Sequence, residues 1–230
     1  MIGLDVTPVA LAALLAWGTI VGLDLVSVPQ GMFARPIVAG TVAGLLAGDV
    51  DAGLRLGALI ELFALDVLPI GASRYPDYGP PTVAIVAGAA GMPEPWAWTL
   101  GLWGALGLVL AGVGAWSLVV LRRLNAGAIR RGSAALLAAE GTAPARLQAG
   151  GVLRDGVRAL LLTAIGLLAA AGLRRMPMLD METGVALTVV LVGTALGAAT
   201  HGAVRSATST DRLRRLAAGL AIGVALAVLA

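Results

Sequence analysis

Residues 35–77 read RPIVAGTVAGLLAGDVDAGLRLGALIELFALDVLPIGASRYPD, and this stretch decides the fold class. It is rich in alanine, leucine, valine and glycine, yet it carries five carboxylates and three arginines. Ionisable side chains at membrane depth are costly unless they are paired or turned toward a polar cavity. A helix that only faced lipid would have no use for Glu61 in the middle of LGALIELFAL. We therefore expect this stretch to bind or move something polar.

The composition of the whole chain is typical of an integral membrane protein. Of its 230 residues, 59% are hydrophobic and 13% are charged, which differs strongly from soluble domains. At ~20 residues per span, this length holds roughly six to eight membrane-embedded segments. We predict an all-α polytopic protein that forms one membrane domain, residues 1–230, without a soluble enzymatic module. Because the chain has no cysteine, disulfides and thiolate metal sites are excluded.

The 16 basic residues are all arginine, and they lie mainly between apolar segments. This distribution is the one that the positive-inside bias of membrane proteins predicts. No basic run is interleaved with aromatic residues, so we expect no nucleic-acid partner. The first 23 residues lack a basic start and an obvious cleavage site, and we interpret them as a retained helix rather than a signal peptide.

The N-terminal part, residues 1–95, is predicted to contain this first helix, re-entrant hairpins and a proline-rich broken segment. Residues 36–48 would extend only ~20 Å as a helix, which cannot cross a ~30 Å hydrocarbon core. Asp51 is a plausible N-cap for a following helix over residues 52–68. Two short apolar arms joined by a Gly-Asp turn indicate a re-entrant hairpin, not two crossings.

Four prolines within residues 69–81 predict that this segment is not helical. Non-helical backbone survives at membrane depth only where it is buried in protein or lines a wet cavity. Short segments interrupted by glycine or proline are the best sequence indication of a transporter's binding site. We therefore place the predicted site here.

The remainder of the chain is predicted to be conventional transmembrane helix around one basic connector. Residues 96–121 form a long uncharged transmembrane helix, and residues 122–158 form a cytoplasmic connector with seven arginines. This connector would extend beyond the bilayer or lie on its anionic face. Residues 159–230 are predicted to hold the C-terminal transmembrane helices, with loops that alternate in charge as the positive-inside rule requires.

In the order and spacing of its landmarks, the chain resembles the membrane subunit IIC of the mannose–fructose–sorbose class of the bacterial sugar phosphotransferase system. The resemblance is strong over about 50 residues and agrees with the hydropathy of the rest. An Arg-Pro pair, a Gly-Asp turn, a glycine-rich helix with one acid, an Ile-Gly-Ala triplet and a Pro-Asp pair follow in register. These landmarks are Arg35-Pro36, Gly48-Asp49, Gly53, Glu61, residues 70–72 and Pro76-Asp77.

This resemblance implies a multi-pass permease subunit of the bacterial inner (plasma) membrane. It implies a sugar substrate, a second membrane subunit IID, and cytoplasmic phosphocarriers IIA and IIB, and we expect the chain to act in an oligomer. The sugar would cross by an elevator-type movement and be phosphorylated by IIB. The chain would then not be catalytic by itself and would need no cofactor, since the phosphorylated histidines belong to IIA and IIB.

Glu61 is the leading candidate for sugar binding. Gly57 precedes it by four residues on the same helix face, so the glycine would expose the carboxylate to a neighbouring cavity. Charged acceptors form the stronger hydrogen bonds with hydroxyl groups, and the resemblance points to the same residue. The alternative is a structural ion pair with Arg35, Arg55 or Arg74.

Five further residues complete the predicted substrate site. They are Asp77, Asp66, Ser73, Arg74 and Gln30. Asp77 could bind sugar hydroxyls from the broken segment, or it could only form a turn beside proline. Asp49 and Asp51 suit turn and cap roles better than a metal site, and the single histidine, His201, suits packing at a helix end better than phosphoryl transfer.

Two other classes of function stay open at the level of sequence. The chain could be the substrate-binding membrane subunit of another importer or a secondary transporter, which would move solute without phosphorylating it. It could also be a non-transporting scaffold with the same fold. An intramembrane enzyme would need a nucleophile–base pair or a metal cluster, and the sequence contains neither.

Overall fold

The computed structural model describes residue 4, residues 6–67, 74–92, 96–138, 141–177 and 179–205, and residue 214. Within these residues the secondary structure is helical and contains no strand. The helices, in chain order, are α1 Pro8–Asp24, α2 Pro36–Ala47, α3 Val50–Ala64, α4 Gly79–Ala89, α5 Trp96–Arg131, α6 Ser133–Leu137, α7 Ala143–Arg174 and α8 Met181–Arg205.

The described helices fall into two classes of length. Three stretches are long and apolar enough to cross a bilayer, namely Thr99–Arg131, Ala143–Arg174 and Met181–His201. Helices α1, α2 and α4 are apolar but shorter. At 1.5 Å per residue, even α1 extends only about 26 Å, less than the ~30 Å core of a bilayer. Of the predicted C-terminal region, residues 206–213 and 215–230 lie outside the described residues.

Helix α3 begins before the residue that the sequence pattern indicated. Its N-cap is Asp49, whose Oδ1 accepts a hydrogen bond of 2.9 Å from the backbone N–H of Ala52. The prediction of Asp51 as the cap is therefore wrong. Asp51 lies in the first turn and forms an exposed ion pair with Arg55, with 2.6 Å between Oδ2 and Nε. Both acids lie where a cap could form, so the sequence pattern does not separate them. Gly48 ends α2 in the left-handed conformation (φ 80°), and α3 therefore begins directly after it, with Asp49 as the cap.

Helix α4 forms the centre of the molecule. All eleven of its residues are buried, because α1, α2, α5 and α7 surround it. The prediction that residues 69–81 are not helical is wrong at its C-terminal end, since α4 includes Pro80 and Pro81. Proline is tolerated in the first turn of a helix, where its missing N–H would have no partner within the helix. Residues 74–78 are not helical, as predicted.

Helices α2 and α3 pack with their backbones in contact. A Cβ added to Gly40 would lie 2.7 Å from the carbonyl oxygen of Gly53, and one added to Gly57 would lie 2.9 Å from that of Pro36. Small residues allow this approach. The two short arms therefore form a tight antiparallel pair. Their re-entrant position in a bilayer stays a prediction.

The basic connector continues the helices on either side of it. Helix α5 extends past residue 121 to Arg131, and α7 begins at Ala143, with the short α6 between them. The two extensions contact each other through Arg154, whose Nη1 donates a 2.7 Å hydrogen bond to Oδ1 of Asn125. The cytoplasmic position of this connector stays a prediction.

Candidate functional site

The side chain of Asp24 organises the loop that follows α1. Its carboxylate accepts hydrogen bonds from the backbone N–H groups of Gly31 (2.6 Å) and Ala34 (2.9 Å), and it is buried. Hydrogen bonds to an ionised acceptor are stronger than neutral ones. The loop is thereby folded back against the end of α1, and it places Arg35 directly before α2.

Arg35 and Glu61 form an ion pair between the start of α2 and the end of α3. The second carboxylate oxygen of Glu61 accepts a 3.2 Å hydrogen bond from the backbone N–H of Ile37. The Glu61 side chain is only 13% exposed, whereas that of Arg35 is 44% exposed. Glu61 thus satisfies an otherwise unpaired N–H in the first turn of α2 and holds the Arg35 guanidinium at the protein surface.

A cavity of about 300 Å³ opens beside this ion pair. The loop after α1, the start of α2, the end of α3 and the non-helical segment before α4 form its walls. Its lining residues are Asp24, Leu25, Gln30, Met32, Ala34, Arg35, Pro36, Ala64, Val67, Tyr75, Pro76 and Tyr78. An acid, an amide, a guanidinium and two phenols therefore converge on a mainly apolar hollow, which is the usual composition of a site for a small polar molecule.

Met32 forms part of the cavity wall in a strained conformation. Its φ is 64°, and it is the one non-glycine residue of the described chain with a positive φ. Such conformations cost about 1–3 kcal/mol for residues other than glycine and cluster at functional sites. The hydrogen bonds of Asp24 therefore hold the loop in a conformation in which the backbone of Met32, at the cavity wall, is strained.

Asp77 lies outside the lining of this cavity, in a buried network. Its side chain is 1% exposed, and its Oδ2 accepts a 2.7 Å hydrogen bond from Nη1 of Arg158. Arg158 Nε donates to Oδ1 of Asp155 at 2.7 Å, and Asp155 Oδ2 accepts from the hydroxyl of Ser27 at 2.5 Å. The carboxylate of Asp77 approaches α5 closely because residue 114 is glycine; a Cβ there would lie 2.8 Å from the Asp77 Cβ.

This network joins four parts of the chain. Arg158 of α7 also donates to the hydroxyl of Ser117 on α5 (3.2 Å) and to the carbonyl oxygen of Gly22 on α1 (3.4 Å). Its two acids and one arginine give the network a formal charge of one negative unit. Oδ1 of Asp77 is buried, and no hydrogen-bond partner for it lies among the described residues. Arg158 therefore anchors the segment that carries Tyr75 and Tyr78 in the cavity wall.

The structure places the other predicted site residues as follows. Gln30 lines the cavity, and its Nε2 donates to the carbonyl oxygen of Leu25 at 3.1 Å. Asp66 lies just beyond α3, and its Oδ1 is 2.8 Å from Nδ1 of His201 on α8. Arg74 is exposed and outside the cavity lining. Ser73 lies outside the described residues.

Sequence reasoning missed several residues of this region. Tyr75, Tyr78, Asp155 and Arg158 are not among the residues that the sequence analysis predicts for the site. One signal was available: Asp155 and Arg158 are spaced by three residues at the edge of an apolar run, where charges need partners. Among the described residues, no three His, Asp or Glu side chains lie close enough together to hold a metal ion.

Comparison with known proteins identifies the family. A family model described as the sorbose-specific IIC component of the PTS system matches residues 7–178, which is most of the chain. The chain belongs to this IIC family. The IIC chain is 32% identical over 74 residues to the sorbose-specific EIIC component of Klebsiella pneumoniae, and 42% identical over 48 residues to the fructose permease IIC component of Bacillus subtilis strain 168.

These alignments are short. The first covers 32% of the IIC chain and 27% of the Klebsiella protein, and the second covers 21% and 18%. The matched segment of the IIC chain thus spans about a quarter or less of the length of these curated relatives.

Two solved structures have a similar fold over nearly the whole IIC chain. One, described as a membrane protein, has a TM-score of 0.73 at 18% identity and covers 98% of this chain and 96% of that one. The other is the mannose transporter ManYZ in complex with microcin E492, with a TM-score of 0.63, 20% identity and 98% and 95% coverage. The predicted fold class, an all-helical membrane protein of the mannose-class IIC type, is confirmed.

Proposed function

We propose that this chain is the permease subunit of a mannose-class phosphotransferase system and that it carries a sugar across the bacterial plasma membrane. The observation that supports this best is the cavity at the junction of α1, α2 and α3, a mainly apolar hollow on which a few polar side chains converge and where the family landmarks Arg35 and Pro36 lie. The matched relatives are named as sorbose and fructose IIC components. We extend that substrate class, a monosaccharide, to this chain.

The cavity chemistry suits a sugar. Carboxylates accept hydrogen bonds from hydroxyl groups, and guanidinium and amide groups donate to them. We assign direct contact to Arg35 and Gln30, which line the cavity. Asp24 also lines it, but its buried carboxylate already accepts hydrogen bonds from Gly31 and Ala34 and holds the loop in place. Glu61 acts by holding Arg35 in place through their ion pair. The apolar remainder of the lining contacts the C–H faces of the sugar ring.

Asp66, Ser73, Arg74 and Asp77 remain candidates for sugar contact in another conformation of the transport cycle. For Asp77 the required change is specific, because its carboxylate is engaged by Arg158 (2.7 Å) and buried. Asp77 reaches a sugar only if that ion pair opens. In an elevator-type movement, the segment before α4 would move relative to α7.

The chain needs partners for this activity. The relatives are named as components of larger PTS systems, and by analogy we propose a IID membrane subunit and the phosphocarriers IIA and IIB. IIB would phosphorylate the sugar on the cytoplasmic side. The IIC chain supplies binding and passage and no phosphoryl-transfer chemistry of its own.

The test is sugar uptake in bacteria that lack their own mannose-class systems. Cells would receive this chain with, and without, the IID, IIA and IIB subunits of its own organism, and labelled sorbose, fructose and mannose would be supplied in turn. We expect sugar phosphate to accumulate only when all subunits are present. Uptake of unmodified sugar by this chain alone would contradict the proposal and favour a secondary transporter. Equal sugar phosphate formation without this chain would favour a scaffold.

A further inference from the structure

A second cavity lies between α5 and α7 and shares no residue with the lining of the first. It has a volume of about 310 Å³ and is lined mainly by apolar side chains, among them Val113, Trp116, Leu161 and Ile165. Several of these side chains are strongly exposed on the outer surface of the helix pair, and Trp116 is 61% exposed. The cavity is therefore an open groove on the face that two membrane-spanning helices turn outward.

The length of this groove matches one leaflet of a bilayer. It extends from Val113 to Leu124 along α5 and from Ile165 to Arg154 along α7. At 1.5 Å per residue, each wall is about 16 Å long, which is half of a hydrocarbon core of ~30 Å.

One end of the groove is positively charged. Arg154 lines it there, and Arg123 is exposed on the neighbouring part of α5. Asp155 is the one carboxylate that the described residues of α5, α6 and α7 carry, and it is buried against Arg158 and Ser27. Within the described part of the chain, Arg154 has Asn125 as its hydrogen-bond partner and forms no ion pair.

We propose that this groove binds an anionic phospholipid, with an acyl chain along α5 and α7 and its phosphate at Arg154. A guanidinium donates to phosphate oxygens in a fork geometry. Arginine-rich ends of membrane proteins lie at the cytoplasmic leaflet, where anionic lipids are concentrated. An apolar helix of another subunit would fit the groove less well, because it would cover the charge of Arg154 without supplying an anion to pair with it.

Trp116 provides a direct readout of lipid in the groove. The purified chain would be placed in phosphatidylcholine bilayers that contain a small fraction of brominated phosphatidylglycerol or brominated phosphatidylcholine, since bromine quenches tryptophan fluorescence on contact. The chain has five tryptophans, so the Trp116→Phe variant supplies the background of the other four. We expect the fraction of brominated lipid that quenches Trp116 to be several-fold lower for phosphatidylglycerol than for phosphatidylcholine.

The Arg154→Gln variant should lower the preference for phosphatidylglycerol over phosphatidylcholine by about fivefold, which is the effect of removing one cation at an anionic membrane surface. The matched control is Arg146→Gln, because Arg146 is exposed on the same helix, loses the same charge and lies outside the groove lining. The Arg146→Gln variant should keep the full preference for phosphatidylglycerol. Arg154→Lys should keep part of it, because lysine retains the charge without the fork geometry of the guanidinium. If the Gln variant does not fold, the preference of the wild-type chain should still fall as salt is raised.

Equal quenching by the two lipids, no quenching of Trp116 by either lipid, or an equal loss in Arg146→Gln would each overturn the proposal. Because the readout is lipid contact, it is independent of sugar transport.

Discussion

Arg158 and Asp77 are 81 positions apart in the chain and form a buried ion pair, with 2.7 Å between Nη1 and Oδ2. The pair connects the non-helical segment before α4 to the middle of α7. Tyr75, Pro76 and Tyr78 of the same segment line the candidate sugar cavity beside Arg35. The position of this wall therefore depends on Arg158, which is not part of the lining of that cavity.

Replacing Arg158 by Gln should destabilise the protein more than replacing Asp77 by Asn. The first change leaves two carboxylates buried together without a cation, and breaking a buried pair in this way costs about 3–5 kcal/mol. The second keeps the Arg158–Asp155 pair and an amide oxygen that still accepts from Arg158, so we expect a loss of roughly 1–2 kcal/mol. Thermal unfolding of the purified variants in detergent measures both.

The double variant Asp77→Asn/Arg158→Gln tests whether the two residues act as a pair. Contacting residues typically show coupling of about 0.5–3 kcal/mol, so its loss should be smaller than the sum of the single losses. Additive losses, or an Arg158→Gln variant as stable as the wild type, would show that the ion pair does not hold this segment.

Removing either member of the Arg35–Glu61 pair should abolish most sugar uptake. Arg35→Gln removes a donor that lines the cavity, and Glu61→Gln releases the guanidinium of Arg35 from its position. We expect each change to lower uptake at least tenfold, the equivalent of about 1.4 kcal/mol. The amount of protein in the membrane should stay normal. The matched control is Asp51→Asn, which breaks an exposed ion pair on α3 and should leave uptake unchanged. Unaltered uptake in Glu61→Gln would argue for a scaffold.

Asp49→Ala should destabilise the protein by about 1–2 kcal/mol, the usual cost of losing an N-cap. The same carboxylate also accepts from the backbone N–H of Gly91 at 3.0 Å, which ties the α2–α3 turn to the end of α4. Asp51→Ala removes an acid two residues away but breaks only an exposed ion pair, for which the expected loss is below about 0.5 kcal/mol. Equal melting temperatures for the two variants would refute the assignment of Asp49 as the cap.

Gly53→Ala should separate α2 from α3. Its Cβ would meet the backbone carbonyl of Gly40, which cannot rotate away, so we expect a loss of about 1–3 kcal/mol from overpacking. Gly193→Ala is the matched control, because a Cβ there meets no atom of the described residues within 4 Å and alanine favours helix by about 0.5–1 kcal/mol over glycine. A more stable Gly53→Ala variant would mean that the two backbones do not touch.

The amino-acid sequence determined the fold class and the region of the candidate site. Long apolar runs predict α5, α7 and α8 because every backbone polar group of a span must be satisfied within the segment. The mixture of acids, arginines and prolines in residues 35–77 predicts a polar cavity there. These are properties of single segments, because they depend on the hydropathy and backbone hydrogen bonding of neighbouring residues in the chain.

Only the tertiary structure decided which charges meet. Glu61 had three possible arginine partners in sequence, and the antiparallel packing of α2 on α3 selects Arg35 because it brings the start of one helix beside the end of the other. Asp77 lies beside cavity residues in the chain, yet it turns toward Arg158 because Gly114 leaves room for it against α5. Ion pairs between distant segments depend on how helices pack, and no spacing along one segment records that packing.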